Sequence, residues 1–213
     1  MLPTQEDLVQ AIIAEGIRDE RLIQAFREVP RAAFVPPELV AQAYLDRPLP
    51  IPHGQVTTQP SLVARMVEAL GLTGSEHVLE VGTGYGFQTA LLARLARFVW
   101  SIERWPDIAE AARANLARQG ITNVEVVVGD GTLGLPEHAP YDAIIVSAAF
   151  PRVPPPLEVQ FAPGGRLVQP IGFGGNEEVV LFEKGPQGLV RRRTITLAHF
   201  VKLYGQHGFP AQA

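Results

Sequence analysis

The sequence predicts an α/β fold, a doubly wound and mostly parallel sheet with an N-terminal helical cap and a C-terminal antiparallel hairpin. Three observations carry that prediction. From Gly71 onward, short runs rich in Val, Ile and Leu alternate with segments whose apolar residues recur at helical spacing, as in a parallel sheet covered on both faces. At Val78–Gly86, the run Val-Leu-Glu-Val-Gly-Thr-Gly-Tyr-Gly passes from an apolar stretch through alternating glycines into a helical pattern. That is a strand, a tight turn and a helix N-terminus. The tail differs: residues 178–183 and 189–196 flank Gly185-Pro-Gln-Gly188, a hairpin signal.

The elements follow in order. Thr4, with Asp7 in the first turn, opens a helix through Leu8, Ile12 and Ile13. Residues 19–29 repeat the spacing until Pro30, and 36–44 reads as a shorter helix. Residues 47–55 (Arg-Pro-Leu-Pro-Ile-Pro-His-Gly-Gln) contain three prolines and are expected to form an irregular but ordered loop. A helix then runs from Pro60 to Gly71. Strands are expected at 77–81, 98–103, 124–128, 142–147 and 166–170, and helices at 86–96, 106–119 and 154–161. Residues 1–60 thus form the cap and its loop, and 61–213 the α/β domain with the C-terminal strands, packed as one unit.

Composition excludes several function classes. The chain has 213 residues, 46% of them hydrophobic and 19% charged, which suits one sizeable core. No apolar run approaches the roughly 18 residues of a membrane span, and the first residues lack a signal-peptide layout. With no cysteine, disulfides, thiolate zinc sites and cysteine nucleophiles are excluded. His199 and His207 have no partners at metal-ligand spacing, so no metal is expected. A net charge of −4 argues against a nucleic-acid partner, and Arg191-Arg192-Arg193 reads as a solvated edge. A cytoplasmic monomer with no membrane contact is expected.

Candidate site residues lie where a parallel sheet binds ligands, beyond the C-terminal ends of its strands. The glycine turn has Gly-x-Gly-x-Gly spacing, unlike the dinucleotide fingerprint, and no Gly-Lys-Ser/Thr follows. The second strand ends in Glu103, about 20 positions beyond the first glycine, where a carboxylate can accept from a ribose diol. The third ends in Asp130-Gly131, an acid able to accept from an exocyclic adenine amine. Each acid alone could be a helix cap or close a turn. Three such features at successive strand ends point to a ligand containing adenosine.

Glu80-Val-Gly-Thr-Gly-Tyr-Gly86, Glu103 and Gly129-Asp130-Gly131 resemble the motifs of class I S-adenosylmethionine-dependent methyltransferases, which have a Rossmann-like fold. Val29-Pro-Arg-Ala-Ala-Phe-Val-Pro36, Ala43-Tyr-Leu-Asp-Arg-Pro-Leu-Pro-Ile51, Gly54-Gln-Val-Thr-Thr-Gln-Pro60, Ala139–Ser147 and Leu157–Pro170 narrow this. From about residue 20 to 205 the chain resembles the protein-L-isoaspartate O-methyltransferases. The resemblance implies repair of damaged proteins by methylating the free α-carboxylate of L-isoaspartyl residues. It implies S-adenosylmethionine as donor, with S-adenosylhomocysteine as product. It places Thr58 at the catalytic position and Glu80, Gly82, Thr83, Gly84, Glu103, Arg104, Asp130 and Gly131 around the cofactor. It places His53, Gln55, Val56, Thr57, Val201 and Leu203 around the acceptor. The family's usual loop reads Thr-Ile-Ser-Gln-Pro with serine as its active-site residue, so Thr58 departs from it, as does Lys202 where proline is common. Two alternatives remain at this stage: a methyltransferase of this fold acting on a small molecule or RNA, and a protein that binds the cofactor without turnover.

Overall fold

The computed structural model describes residues 2–210. Helices α1 (Gln5–Ala14) and α2 (Glu20–Glu28) open it. Thr4 and Asp7 form a reciprocal capping box on α1, and the Asp19 carboxylate accepts from the first N–H groups of α2. Their apolar faces, Leu8 and Ile12 on one and Leu22 and Phe26 on the other, join Val63, Met66 and Leu91 in one cluster. The cap and the sheet's helices therefore share a core. The segment expected as a helix at 36–44 is a 3₁₀ helix, Pro37–Gln42, with no buried side chain, so no packing favours extending it.

The irregular loop expected at 47–55 is instead part of a two-stranded ribbon. Strands β1 (Leu49–Ile51) and β2 (Gln55–Thr57) pair antiparallel, Leu49 against Thr57 and Ile51 against Gln55. Proline is tolerated because both strands are edges. The turn has His53 at φ 59° and Gly54 at φ 65°, closed by Gln55 N–H donating to the Pro52 carbonyl at 3.2 Å. The three residues between the paired Ile51 and Gln55 include two consecutive left-handed positions, which Gly54 adopts freely and His53 only with strain.

Helix α3 (Pro60–Leu70) ends at Gly71, and the alternation follows as β3 (His77–Val81), α4 (Phe87–Leu95), β4 (Phe98–Glu103), α5 (Pro106–Arg118), β5 (Val124–Val128) and β6 (Tyr141–Val146). The tail comprises α6 (Pro155–Glu158), β7 (Phe161–Ile171), β8 (Glu177–Gly185) and β9 (Gly188–Ala198). Helix α6 is shorter than expected because Phe161 is claimed by the sheet, where it pairs with Tyr141 at the start of β7. Among the described residues the sheet order is β5-β4-β3-β6-β7-β8-β9, parallel through β7 and antiparallel for β8 and β9. The order reverses between β3 and β6, which leaves a crevice at their C-terminal ends. No helix of the described residues is long and apolar enough to cross a membrane.

Candidate functional site

Three strand ends converge on that crevice. Gly82, Gly84 and Gly86 have φ of 97°, 54° and 95°, a sequence of left-handed residues that side chains would strain. Gly84 N–H donates to Glu103 Oε2 at 3.0 Å and Trp105 N–H to Oε1 at 3.1 Å. One carboxylate at the end of β4 thus fixes both the glycine turn and the approach to α5. Burial pushes Glu103 above the ordinary carboxylate range, against these hydrogen bonds, which favour its ionised form. From β6, Ser147 N–H donates to the Val81 carbonyl at 2.9 Å, and its hydroxyl accepts from Gln88 Nε2 at 3.0 Å.

Three cavities meet over the turn. The first, about 80 Å³, is lined by Ile51, Gln55, Thr57, Thr83, Gly84 and Glu103, among others. A second, about 350 Å³, opens between α3 and the chain after β9. Val56, Thr58, Ser147 and Val201 line both. A slot of about 70 Å³ lies between Val81, Ile102 and Leu203, with Gly131 in its wall and Glu103 and Arg104 at its edge. A side chain at Gly131 would come within 2.3 Å of Val81, so this backbone must stay bare for the slot to exist. The slot suits a planar apolar ring and Glu103 a diol, and no Lys or Arg lines the first cavity to meet a phosphate.

Most residues expected at the site therefore gather here: Gln55, Val56, Thr57, Thr58, Gly82, Thr83, Gly84, Glu103, Arg104, Gly131, Val201 and Leu203. Val201 and Leu203 are held by a backbone bridge, Ala149 N–H to the Val201 carbonyl and Leu203 N–H to the Ala149 carbonyl, both 2.8 Å. Three residues, Glu80, Asp130 and His53, are placed differently. Glu80 is fully buried beneath the turn, accepting from Gln88 at 2.9 Å, Thr89 at 2.5 Å and Ser101 at 2.6 Å. It supports the turn and has no exposed atom to offer a ligand. Asp130 caps the 3₁₀ turn at Gly131–Leu133, accepting from Thr132, and its other oxygen takes Gln206 N–H at 2.7 Å. It lines none of the three cavities. Burial alone would raise the Asp130 carboxyl, but these hydrogen bonds hold it below its usual range.

His53, expected at the acceptor, latches the ribbon to α5. Its ring stacks on Trp105 with centroids 3.9 Å apart, and Nε2 lies 2.9 Å from Asp107 Oδ2. Thr58 does not cap the helix that begins at Pro60, which leaves its side chain free of that task. Gln59 stands at the cap position, and the first turn of α3 is instead served by Asp46, which accepts Ser61 N–H at 2.8 Å.

The sequence pattern does not reveal Arg31. Its guanidinium is buried and donates to the carbonyls of Ala43 (3.0 Å), Leu45 (2.9 Å) and Arg47 (2.9 Å), to the Thr57 hydroxyl (3.0 Å) and to the Thr58 carbonyl (3.4 Å). Burial pushes it down to about 10, so it stays cationic at neutral pH. Arg31 thus hangs the 43–58 segment from the helical cap and sets where Thr58 stands. Ser147 is likewise hidden in the sequence, being legible only as the end of an apolar strand.

Known proteins resemble this chain along almost its whole length. The family model described as protein-L-isoaspartate(D-aspartate) O-methyltransferase matches residues 3–208. A protein-L-isoaspartate O-methyltransferase of Anaeromyxobacter dehalogenans (strain 2CP-C) is 55% identical over 190 residues, covering 88% of this chain and 91% of its own. One from Methanoculleus marisnigri is 50% identical over 209 residues, covering 98% and 94%. A solved structure titled protein-L-isoaspartate O-methyltransferase superposes with a TM-score of 0.85 at 32% identity, covering 96% of this chain and 67% of that one. The chain belongs to the protein-L-isoaspartate(D-aspartate) O-methyltransferase family.

Proposed function

We propose that the protein transfers a methyl group from S-adenosylmethionine to the free α-carboxylate of L-isoaspartyl residues in damaged proteins and peptides. The observation that carries this reading is that Val56, Thr58, Ser147 and Val201 are shared by two cavities, one over the glycine turn and one open to solvent. A donor held on the turn and an acceptor entering from solvent would meet at Thr58. The residues present fit the cofactor: Glu103 for the ribose, the Val81–Ile102–Leu203 slot for the adenine, and an uncharged turn for the methionine end. When bound, S-adenosylmethionine supplies the electrophilic methyl.

The chain's own residues then have a limited task. A free α-carboxylate titrates at roughly pH 3.5 to 4 and is already ionised at neutral pH, so no general base is needed. Thr58 donates its hydroxyl to one carboxylate oxygen and leaves the other to react. Esterification removes the acceptor's charge, so apolar walls such as Val56, Leu62 and Val201, which displace water from it, favour the reaction.

Incubation with labelled S-adenosylmethionine and two peptides differing only in isoaspartyl or aspartyl linkage tests the reading. Transfer to the isoaspartyl peptide alone is expected; cofactor binding with transfer to neither peptide would overturn it. Glu103→Ala is expected to weaken cofactor binding by about 1 to 3 kcal/mol, since it removes a charged acceptor and frees Gly84 N–H. Calorimetric titration checks this, and unchanged affinity would remove Glu103 from the site. Thr58→Ser keeps the donor and relieves the stiff β-branched side chain. Turnover equal to or above that of the unsubstituted chain is expected in a steady-state assay, and a collapse would show that the threonine methyl is needed.

A further inference from the structure

A fourth cavity of about 440 Å³ lies beside the point where donor and acceptor meet. It runs between the ribbon turn (His53, Gly54, Gln55) and Phe200–Lys202 with Tyr204, and its wall includes Arg104 and Trp105. Val201 lines it and also lines both cavities at Thr58, so a polypeptide with its isoaspartyl group at Thr58 would continue along it.

Its charge is unlike that of the whole chain. The protein carries a net charge of −4, yet this groove has Arg104 and Lys202, with His53 and His199 at its sides. Lys202 is one of only two lysines in the sequence. Among the described residues, neither Arg104 nor Lys202 forms a salt bridge. Aromatic rings hold them instead: Arg104 lies 4.9 Å from the centre of Trp105 and 5.1 Å from that of Tyr204, and Lys202 lies 5.0 Å from that of Phe209. Ring contacts position a cation without neutralising it. Of the nearby acids, Glu103 feels the Arg104 charge, but each acid is held by other partners. Asp107 faces His53, Glu103 holds Gly84 and Trp105, and Glu177 is buried, accepting Phe200 N–H at 2.8 Å.

We propose that this groove selects isoaspartyl polypeptides that carry an acidic side chain within a few residues of the damaged position, through Lys202 and Arg104. The inference rests on the methyltransferase reading above and assigns its acceptor preference. The aromatic walls provide apolar contact for the intervening chain, and the two cations supply the sign.

The test uses the whole 213-residue chain and three otherwise alanine-flanked isoaspartyl peptides with Glu, Gln or Lys beside the damaged residue, prepared with the variable residue on each side in turn. On at least one side, KM for the Glu peptide is expected about three- to tenfold below that for the Lys peptide, with Gln between and kcat nearly constant. The difference should shrink between roughly 50 mM and 0.5 M salt. Equilibrium binding of the same peptides without methyl donor should give the same order. Lys202→Glu should invert the ratio of the Glu to the Lys peptide. Equal KM for all three peptides, with methylation intact, would overturn the proposal and leave the activity standing. A preference that Lys202→Glu does not alter would also overturn it. Methylation of none of the peptides would remove both.

Discussion

Arg31→Ala should cost about 3 to 5 kcal/mol of stability and lower kcat/KM toward an isoaspartyl peptide about 100-fold. The guanidinium is buried and serves carbonyls of Ala43, Leu45, Arg47 and Thr58 as well as the Thr57 hydroxyl. Truncation would leave these acceptors without their donor, at about 1 to 3 kcal/mol for each that stays dry. Water entering the space would relieve some of them, which keeps the expected loss below the plain sum. Domains of this kind have only about 5 to 15 kcal/mol in total, so the variant sits near the limit of folding. The activity loss has a separate cause. Thr57 and Thr58 are hung from Arg31, so the Thr58 hydroxyl proposed to meet the acceptor loses its position. Arg31→Lys tests the geometry: one ammonium keeps the charge but cannot span acceptors from residue 43 to residue 58. Stability is expected to recover in part and kcat/KM to stay low. Urea midpoints and peptide kinetics measured together check both effects. If kcat/KM matched the unsubstituted chain, the ribbon would be positioned by the Asp46 contacts with Gln59 and Ser61 alone.

The parts of this site that were legible in the sequence are those whose cause is local. Alternating glycines require their turn wherever they occur, and Glu103 follows from the end of an apolar strand. What was illegible depends on distant partners. Arg31 gives no periodic signal, because its acceptors are backbone carbonyls that any residue would supply. Asp130 reads as a ligand-facing acid until the tail returns to donate Gln206 N–H across 76 positions. Glu80 lies on a strand whose inner residues are all buried, so alternation could not show which face it takes. The ribbon at Leu49–Thr57 had a readable sign that the prolines obscured: His53-Gly54 is a pair able to adopt positive φ, and it sets the hairpin. Local chemistry thus pointed to the proposed cofactor cradle, whereas the proposed acceptor platform depends on the tertiary contacts of the cap.

Glu80→Gln should make the protein more stable above neutral pH and flatten its stability profile on the acid side. Burial raises the Glu80 carboxyl to about 7, against the hydrogen bonds from Ser101, Thr89 and Gln88, which favour the ionised form. In the unfolded chain the same group titrates near 4.5. Between those values the folded protein keeps a proton that the unfolded chain has released, so stability falls as pH rises through the interval. The contribution is complete below the unfolded value and gone above the folded one, a span worth about 3 kcal/mol at 1.36 kcal/mol per unit. Groups with lowered values, such as Asp130 and Asp107, act in the opposite sense and lose their contribution as the solution becomes acidic. Stability should therefore peak on the mildly acidic side for the unsubstituted chain. Glutamine cannot titrate, and the Thr89 and Ser101 hydroxyls can turn to accept from its amide. Urea unfolding from about pH 5 to about pH 8 should show the two proteins similar at the acid end and the variant ahead at the other. Parallel curves would mean that Glu80 stays ionised throughout. Cofactor titration of the same variant separates support from contact: a side chain sealed beneath the turn should leave affinity unchanged, whereas a large loss would return Glu80 to the ligand's contacts.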